Sequence, residues 1–447
     1  MMKKMKMMKK MIVILCTVVF FMNVIHVQAF SSNGYMVKKK GEKATYVENV
    51  SKRALSANSD IEYIEPNYEA TLFASPTDPK YYQQWNLDLI KAQSAWDLGC
   101  YGNDVKIGVI DSGIYMHSDI VGNVLPGYNY NSNNTNTTDS LGHGTFVSGL
   151  IAANWNDIGI AGIAKNAKIV PIKCFDGEKT TVDILCKGIY DAVDKYDCKI
   201  INMSFGLTSN SRALKDAVDY AYSKGAILVA AVGNDSNSTI NYPAGWDNVI
   251  GVGSVNVNEF VSSTSNKNRS VMLTAPGEAV QSLSLTEGLR FDSGTSFSTA
   301  TVVGSIAIAL CVDGTLTQDD FINMMPNICD DKGDEGYDIK FGHGILNISK
   351  MMEFVLKNKL YFVSPVSDDK GKTEITVYNN TENSITGGAV FASYANKTLT
   401  DIKIINQQIP GKVAQTFNYT SADNDFSFMF WDLKTLHPFI NKVYVSK

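Results

Sequence analysis

Histidine is scarce in this chain, five in 447 residues, so a catalytic imidazole can be sought by elimination. Cysteine is sparse too, and no pair stands at metal-ligand spacing, which argues against a thiolate-held metal centre. Cys16 lies in the N-terminal apolar segment. The other six, Cys100, Cys174, Cys186, Cys198, Cys311 and Cys329, permit disulfides in an exported protein; several read as core residues, and their pairing is open. Positive charge is in deficit, with a formal net charge of −5 and no basic stripe, which excludes a nucleic-acid partner. No Gly-x-Ser-x-Gly occurs, so the nucleophile turn of the α/β-hydrolase esterases is missing. The apolar run MIVILCTVVFFMNVI, about 15 residues, is short for a membrane span.

That run follows MMKKMKMMKK and precedes small Ala29, the layout of a cleaved export signal over residues 1–29. An uncleaved anchor is the rival reading. Loss of the five signal lysines takes the formal charge from −5 to −10, so the exported body is acidic, with no transmembrane segment after signal removal. Its expected place is secreted or cell-surface associated. Residues 30–75 form a short polar segment with strand-like YMVKKK and IEYIEPNYEA, ending at TLFASPTDP, where two prolines read as an exposed linker.

Residues 76–355 change character. VKIGVID, AKIVPIKCF, KIINMSF, AILVAAVG and NVIGVGSV are β-branched runs too apolar to face water. Between them, Val182, Leu185, Ile189 and Val193 share one helical face, as do Leu214, Val218 and Ala221. The alternation predicts an α/β fold, a mostly parallel sheet with helices on both faces. NSNNTNTTDS, residues 131–140, reads as a mobile surface insertion. Residues 356–447 carry short alternating stretches and predict a small all-β sandwich-like module.

His26 leaves with the signal, His437 precedes a proline and His117 sits in a loop. Of the two Gly-His-Gly histidines, His343 reads as a structural turn. His143 stands at the mouth of an apolar helix, where flanking glycines admit a substrate backbone. Of two Asp-Ser-Gly tripeptides, that of Asp111 ends a buried strand at the carboxyl edge of the sheet, where open α/β folds build their sites; Asp292 follows a polar stretch and is the weaker candidate. Ser296 opens the apolar run SFSTATVVGSIAIALC. A lone serine there would be a helix cap. With a base and an orienting carboxylate available it is a candidate nucleophile, and a helix N-terminus would face the oxyanion. Asn234, after the buried strand LVAAVG, is a second candidate oxyanion donor or a turn residue.

VIDSGI, GHGTFVSG, AAVGN and SGTSFSTA resemble the four sequence blocks of the subtilisin-like serine peptidases (subtilase family, peptidase S8), in that family's order. Asp111, His143 and Ser296 are separated by 32 and 153 residues, and the likeness runs from about 78 to 350. It implies a secreted serine endopeptidase acting on a protein or peptide substrate, with Ser296 as nucleophile, His143 as general base, Asp111 as orienting carboxylate and Asn234 in the oxyanion hole. It implies further that Ser204, Phe205 and Gly206 pair with extended substrate, and that Asn241 stands at the S1 pocket floor where Gly is common, making that pocket shallower. Residues 30–75 would be an inhibitory prosegment, a partner of its own enzyme, removed by self-cleavage between Ala70 and Thr77. No cofactor is implied for catalysis. A structural calcium is implied at Asp119 and Asn156, although the Gln that the family's mature N-terminus contributes has no clear counterpart. Phe297, Ser298, Thr299 and Ala300 replace the family's frequent Met-Ala-x-Pro. The alternative from another class is a catalytically silent exported surface-binding protein, against which the complete triad speaks.

Overall fold

In a computed structural model of the chain, the described residues are 34–41, 43, 45–48, 60–66, 75–357 and, beyond these, the strands between 360 and 445. The proposed signal, residues 1–29, and residues 70–74 of the expected cleavage window lie outside them. The chain divides into two compact units, residues 72–359 and residues 1–71 with 360–447.

The second of these holds an N-terminal antiparallel sheet in the order β2-β1-β3, from β1 (Gly34–Lys39), β2 (Thr45–Glu48) and β3 (Ile61–Pro66). Its C-terminal part is all β. β15 (Leu360–Ser367), β16 (Lys372–Asn379) and β19 (Val413–Thr420) make one antiparallel sheet; β17 (Ile385–Ala395), β18 (Thr398–Ile409), β20 (Asp425–Asp432) and β21 (His437–Val445) make the other.

Unit 72–359 is built on a nine-stranded sheet in the order β13-β14-β10-β9-β8-β7-β4-β6-β5. The strands are β4 (Lys106–Asp111), β5 (Tyr128–Asn129), β6 (Lys168–Lys173), β7 (Ile200–Met203), β8 (Ile227–Ala231), β9 (Ile250–Val255), β10 (Leu273–Pro276), β13 (Cys329–Asp330) and β14 (Ile345–Leu346). All pairings are parallel except that of β13 with β14. The five apolar runs named above became β4, β6, β7, β8 and β9. β10 and the antiparallel hairpin of β11 (Val280–Leu283) and β12 (Leu289–Asp292) had no such run to announce them.

Two short helices, α1 (Trp85–Leu89) and α2 (Gln93–Trp96), precede the sheet, α3 (His143–Ala152), α4 (Val182–Asp194), α5 (Arg212–Ser223), α6 (Thr295–Val312) and α7 (Gln318–Ile328) lie between its strands, and α8 (Ile348–Leu356) follows the last of them. In α4 the buried face is Leu185, Gly188, Ile189 and Ala192; Val182 and Val193, expected on it, stand at the two ends of the helix and are only half-buried against the same cluster. Those of α5 are buried as expected. Strand alternation sends Ile110, Ile172, Ile201, Met203, Leu228 and Ala230 into the cluster shared with α4 and α5. Val109 and Asp111 therefore point to the opposite face, where α3 and α6 pack. α6 is apolar enough to cross a membrane by length and composition, the one such helix among the described residues, but it is buried in the core of this unit.

β4 lies between β6 and β7, and the chain leaves it first toward β5 and β6 before returning to β7 on the other side. This is a topological switch point, and the crevice outside its carboxyl end is where open α/β sheets bind ligands.

Candidate active site

A cleft of about 620 Å³ opens at this switch point. Asp111 and Ser112 after β4, Phe175 to Thr180 after β6, and Ser204 to Leu207 after β7 contribute to its walls, and His143 stands at its rim. Parallel strands bring these segments together because all their carboxyl ends lie on one edge.

Asp111 is buried and accepts a hydrogen bond from its neighbour's amide, Ser112, at 2.7 Å. His143, first residue of α3, meets it with Nδ1 at 2.8 Å from Oδ1 and 2.9 Å from Oδ2. Since a carboxylate only accepts, Nδ1 carries the proton and Nε2 is left to act as base. The ring keeps 35% side-chain exposure at the cleft rim. Burial alone lowers the imidazole's proton affinity, but the charge and hydrogen bond of Asp111, with Asp139 and Asp292 behind them, hold its pKa above the ordinary value. Gly144 must be glycine for this contact: a Cβ there would stand 2.2 Å from the Gly113 carbonyl and 3.2 Å from the Asp111 side chain.

Ser296 is the second residue of α6, not its cap; Gly294 holds that position. The cap function falls to Asn234, whose Oδ1 accepts from the Thr295 amide at 2.8 Å and its hydroxyl at 2.9 Å. An N–H can only donate, so the side-chain oxygen of Asn234 is committed and its NH₂ is the free end. Ser296 lies in the first turn, where amides lack intrahelical partners. Its hydroxyl donates to the Ser204 carbonyl at 3.2 Å, and the Ser204 hydroxyl donates back to the Ser296 carbonyl at 3.1 Å. These reciprocal bonds tie the helix start to the end of β7. The neighbouring ring of Phe297 packs on His143 at 5.7 Å and on Phe146 at 4.3 Å between centroids. Asp111 and His143 are thus in direct contact, while Ser296 joins their neighbourhood through Phe297 and Ser204 with its hydroxyl turned to the strand end.

Ser204, Phe205 and Gly206 line the cleft, with Phe205 against Phe175 at 5.7 Å. Asn241 is buried and donates to the Val232 carbonyl at 3.1 Å. Its side chain is wedged between two backbones: a Cβ on Gly233 would meet its Nδ2 at 2.1 Å, and one on Gly206 would meet its Cβ at 3.0 Å.

At the expected cation site, Asp119 is fully buried; its Oδ2 accepts from the Ile160 amide at 2.9 Å, while Oδ1 has no partner. Asn156 donates its amide to Asp78 at 2.9 Å, and the other oxygen of Asp78 is likewise buried without a partner. Asp78 thus brings a second buried acid to Asp119, one that the motif alone could not flag. Burial pushes the Asp119 carboxyl up to about 8, with Asp78 and Glu287 adding to the rise against the Ile160 amide. No group of three or more His, Cys, Asp or Glu clusters among the described residues, so a cation here would lean on amide and carbonyl oxygens.

Other expected features fall elsewhere. Asp292 ends β12 and pairs with Arg290 at 3.3 Å. The His343 amide donates to the Met272 carbonyl in a turn. The insertion at 131–140 is exposed but braced by side chains of Asn129, Asn134 and Asn136 accepting from amides two or three residues on, and its Asp139 is buried beneath α3. The six described cysteines are free thiols. Asp139, and Lys173 beside Asp111, carried no motif to mark them.

Titrating the His143 ring by NMR in the Ser296→Ala protein is expected to give a midpoint above the usual ~6.5 of histidine. Asp111→Asn, by removing the adjacent negative charge, is expected to lower it; the same midpoint in both proteins would contradict the contact.

A family model for the subtilase family, peptidase S8, matches residues 102–344. The minor extracellular protease Epr of Bacillus subtilis (strain 168) is 36% identical over 307 residues, 66% of this chain and 47% of Epr. The thermophilic serine proteinase of Bacillus sp. (strain AK1) is 38% identical over 262 residues, 57% of this chain and 65% of that protein. This chain therefore spans about half of Epr and just under two thirds of the proteinase. Subtilisin DY of Bacillus licheniformis is 36% identical over 270 residues, 59% of this chain and 96% of that protein. Among solved structures, a protease of Pseudoalteromonas arctica PAMC 21717 shares the fold, with a TM-score of 0.59, 24% identity, and coverage of 63% of this chain and 100% of that one. With more than half its length inside the matched region and its sheet, helices and cleft in keeping, the chain belongs to the subtilase family.

Proposed function

We propose that this chain is an exported serine endopeptidase that cleaves peptide bonds through an acyl-enzyme. The contact of Asp111 with His143 at the mouth of the cleft, with Ser296 on the adjoining helix start, carries the reading, and it is supported by the relatives' names as proteases. Ser296 Oγ attacks the scissile carbonyl while His143 Nε2 takes its proton and later gives it to the leaving amine; Asp111 holds the tautomer. General-base help is worth about 10² to 10⁴ in rate. The Ser296 amide and the free NH₂ of Asn234 receive the oxyanion, a donor of this kind contributing about 3 kcal/mol, the magnitude known from subtilisin itself. The Ser296 hydroxyl leaves Ser204 for the imidazole when substrate arrives, as catalytic hydrogen bonds often align only in the complex.

In this reading residues 30–75 form an inhibitory prosegment that the enzyme removes itself. A serine-reactive fluorophosphonate is expected to label the wild-type protein and not Ser296→Ala, and N-terminal sequencing is expected to find the processed start only in the wild type. Equal labelling of the two would leave the silent surface-binding protein as the better account.

Ser204 to Gly206 pairs with extended substrate, and Asn241 fills the slot between that strand and residues 231–233, which favours a small residue before the cleaved bond. Asn241→Gly is expected to raise kcat/KM for a large aromatic residue at that position relative to alanine by about 10-fold or more, in the range of ~1–3 kcal/mol for fitting or excluding apolar groups. An unchanged ratio would remove Asn241 from the specificity pocket.

Calcium is proposed as a structural ion, with Asp119, Asp78 and the side-chain oxygen of Asn156 as its protein ligands. The two unpartnered buried carboxylate oxygens support this, and a hard dication supplies the charge compensation they lack. Adding calcium to chelator-treated Ser296→Ala protein is expected to raise Tm, by about 2.7 kcal/mol of stability at a hundredfold excess over Kd. An Asp119→Asn variant responding as strongly would count against the site.

A further inference from the structure

Lys173, the last residue of β6, is paired in register with Asp111 across the sheet, and its side chain is only 4% exposed. Its ammonium donates to the Ser112 carbonyl at 2.6 Å and to the Phe175 carbonyl at 3.2 Å, and meets Asp176 at 3.0 Å. Three donors thus meet three acceptors, and a buried charge on a flexible stem is held in one place. The Gly113 backbone lies against the same stem, a Cβ there coming within 3.1 Å of the lysine Cδ.

On the other side of Ser112 lies a second buried charge. Asp139 accepts from the amides of Leu141 and Gly142 at 2.9 Å each, from the Thr145 amide at 3.0 Å and from the Thr145 hydroxyl at 2.6 Å. These donors belong to the first turn of α3 and the residues just before it, flanking His143. The Ser112 hydroxyl accepts from the Gly144 amide at 2.9 Å, and it is near enough to Asp139 to help hold that carboxyl ionised. Ser112 is therefore held through its carbonyl by a cation and through its hydroxyl by an amide of the helix turn that Asp139 braces, while its own amide touches Asp111.

We propose that Asp139 and Lys173 are positioning residues, two buried charges of opposite sign on either side of Ser112, the lysine holding its carbonyl and the aspartate bracing the helix turn whose amide holds its hydroxyl, so that the Asp111 turn is kept against the helix that begins at His143. The inference rests on the catalytic reading above and adds to it two residues that do not touch the reacting atoms. Motif and spacing do not lead to either: one hides in a polar low-complexity stretch, the other at the end of an apolar strand.

The two charges act on His143 in opposite directions. Burial on its own raises the Asp139 carboxyl, but the hydrogen bonds from Thr145 and Gly142, with the Ser112 hydroxyl near by, outweigh it and hold it below the usual carboxylate range, so it is an anion at neutral pH. That anion stabilises the imidazolium, and the ammonium of Lys173 behind Asp111 opposes it. The other charges facing the ring are Asp111 from β4 and Asp292 from β12, the latter paired with Arg290; α6 presents Ser296 and Phe297 and no titratable group.

The test is the pH profile of kcat/KM in Asp139→Asn and Lys173→Met, each normalised to the fraction labelled by fluorophosphonate. Both are expected to lose about 10²-fold in kcat, the cost of a misplacement of order 1 Å, with KM little changed. The acid limb is expected to move to lower pH in Asp139→Asn and to higher pH in Lys173→Met. Wild-type kcat with an unmoved limb in both, and a lower Tm as the sole effect, would overturn the inference; so would limbs that move the same way. Should either variant fail to fold, Asp139→Glu and Lys173→Arg keep the charge and displace the gripping atoms, and are expected to lower kcat while the limb stays in place; wild-type kcat in both would overturn it as well. A wild-type protein that takes no label would instead remove the catalytic reading, and this inference with it.

Discussion

A carboxylate at the end of a buried strand is tolerable only when hydrogen-bond donors and a countercharge replace the water it has lost. Asp111 stands where both are at hand, and the rest of the site follows from meeting that condition. The Ser112 amide and the His143 imidazole supply donors, and Lys173 on the neighbouring strand supplies the positive charge behind them. Because the donors include the imidazole, satisfying the carboxylate also orients the ring and leaves its far nitrogen unprotonated.

The proposed nucleophile, Ser296, is held by a different device. α6 is apolar on all sides and must be buried, which drives its N-terminus into the sheet edge beside β7. There Asn234 caps the first amide and the paired bonds with Ser204 fix the next residue. Capping by a neighbouring loop instead of by a helix residue frees Ser296 from the ordinary work of a serine at a helix start. Phe297, which stands in place of the methionine frequent in the family, spans from this helix to the His143 ring and so couples the two halves of the site through packing.

Much of the architecture was legible beforehand. Strands wholly buried in a parallel sheet read as continuous β-branched runs, and helices against them show a 3.6-residue apolar stripe, so β4, β6, β7, β8 and β9 and helices α4 and α5 announced themselves. The short β10 and the β11–β12 hairpin did not, because LTAP, VQSL and LRFD break the apolar run with polar residues or proline. The loop at 131–140 read as mobile from its polarity alone, whereas its asparagines close local turns and its last acid is a buried anchor.

The amino-acid sequence by itself determined the alternation of strands and helices and the family, and it singled out Asp111, His143, Asn234 and Ser296 as candidates, because each stands in a local pattern of glycines and apolar residues that only a few backbone geometries accept. Tertiary structure alone decided that Lys173 lies beside Asp111, that Asp139 braces the start of α3, that Asp78 joins Asp119, and that Asn241 fills the gap between two strand ends. Those contacts come from strand order and register, which link residues tens of positions apart and leave no periodic trace in the chain.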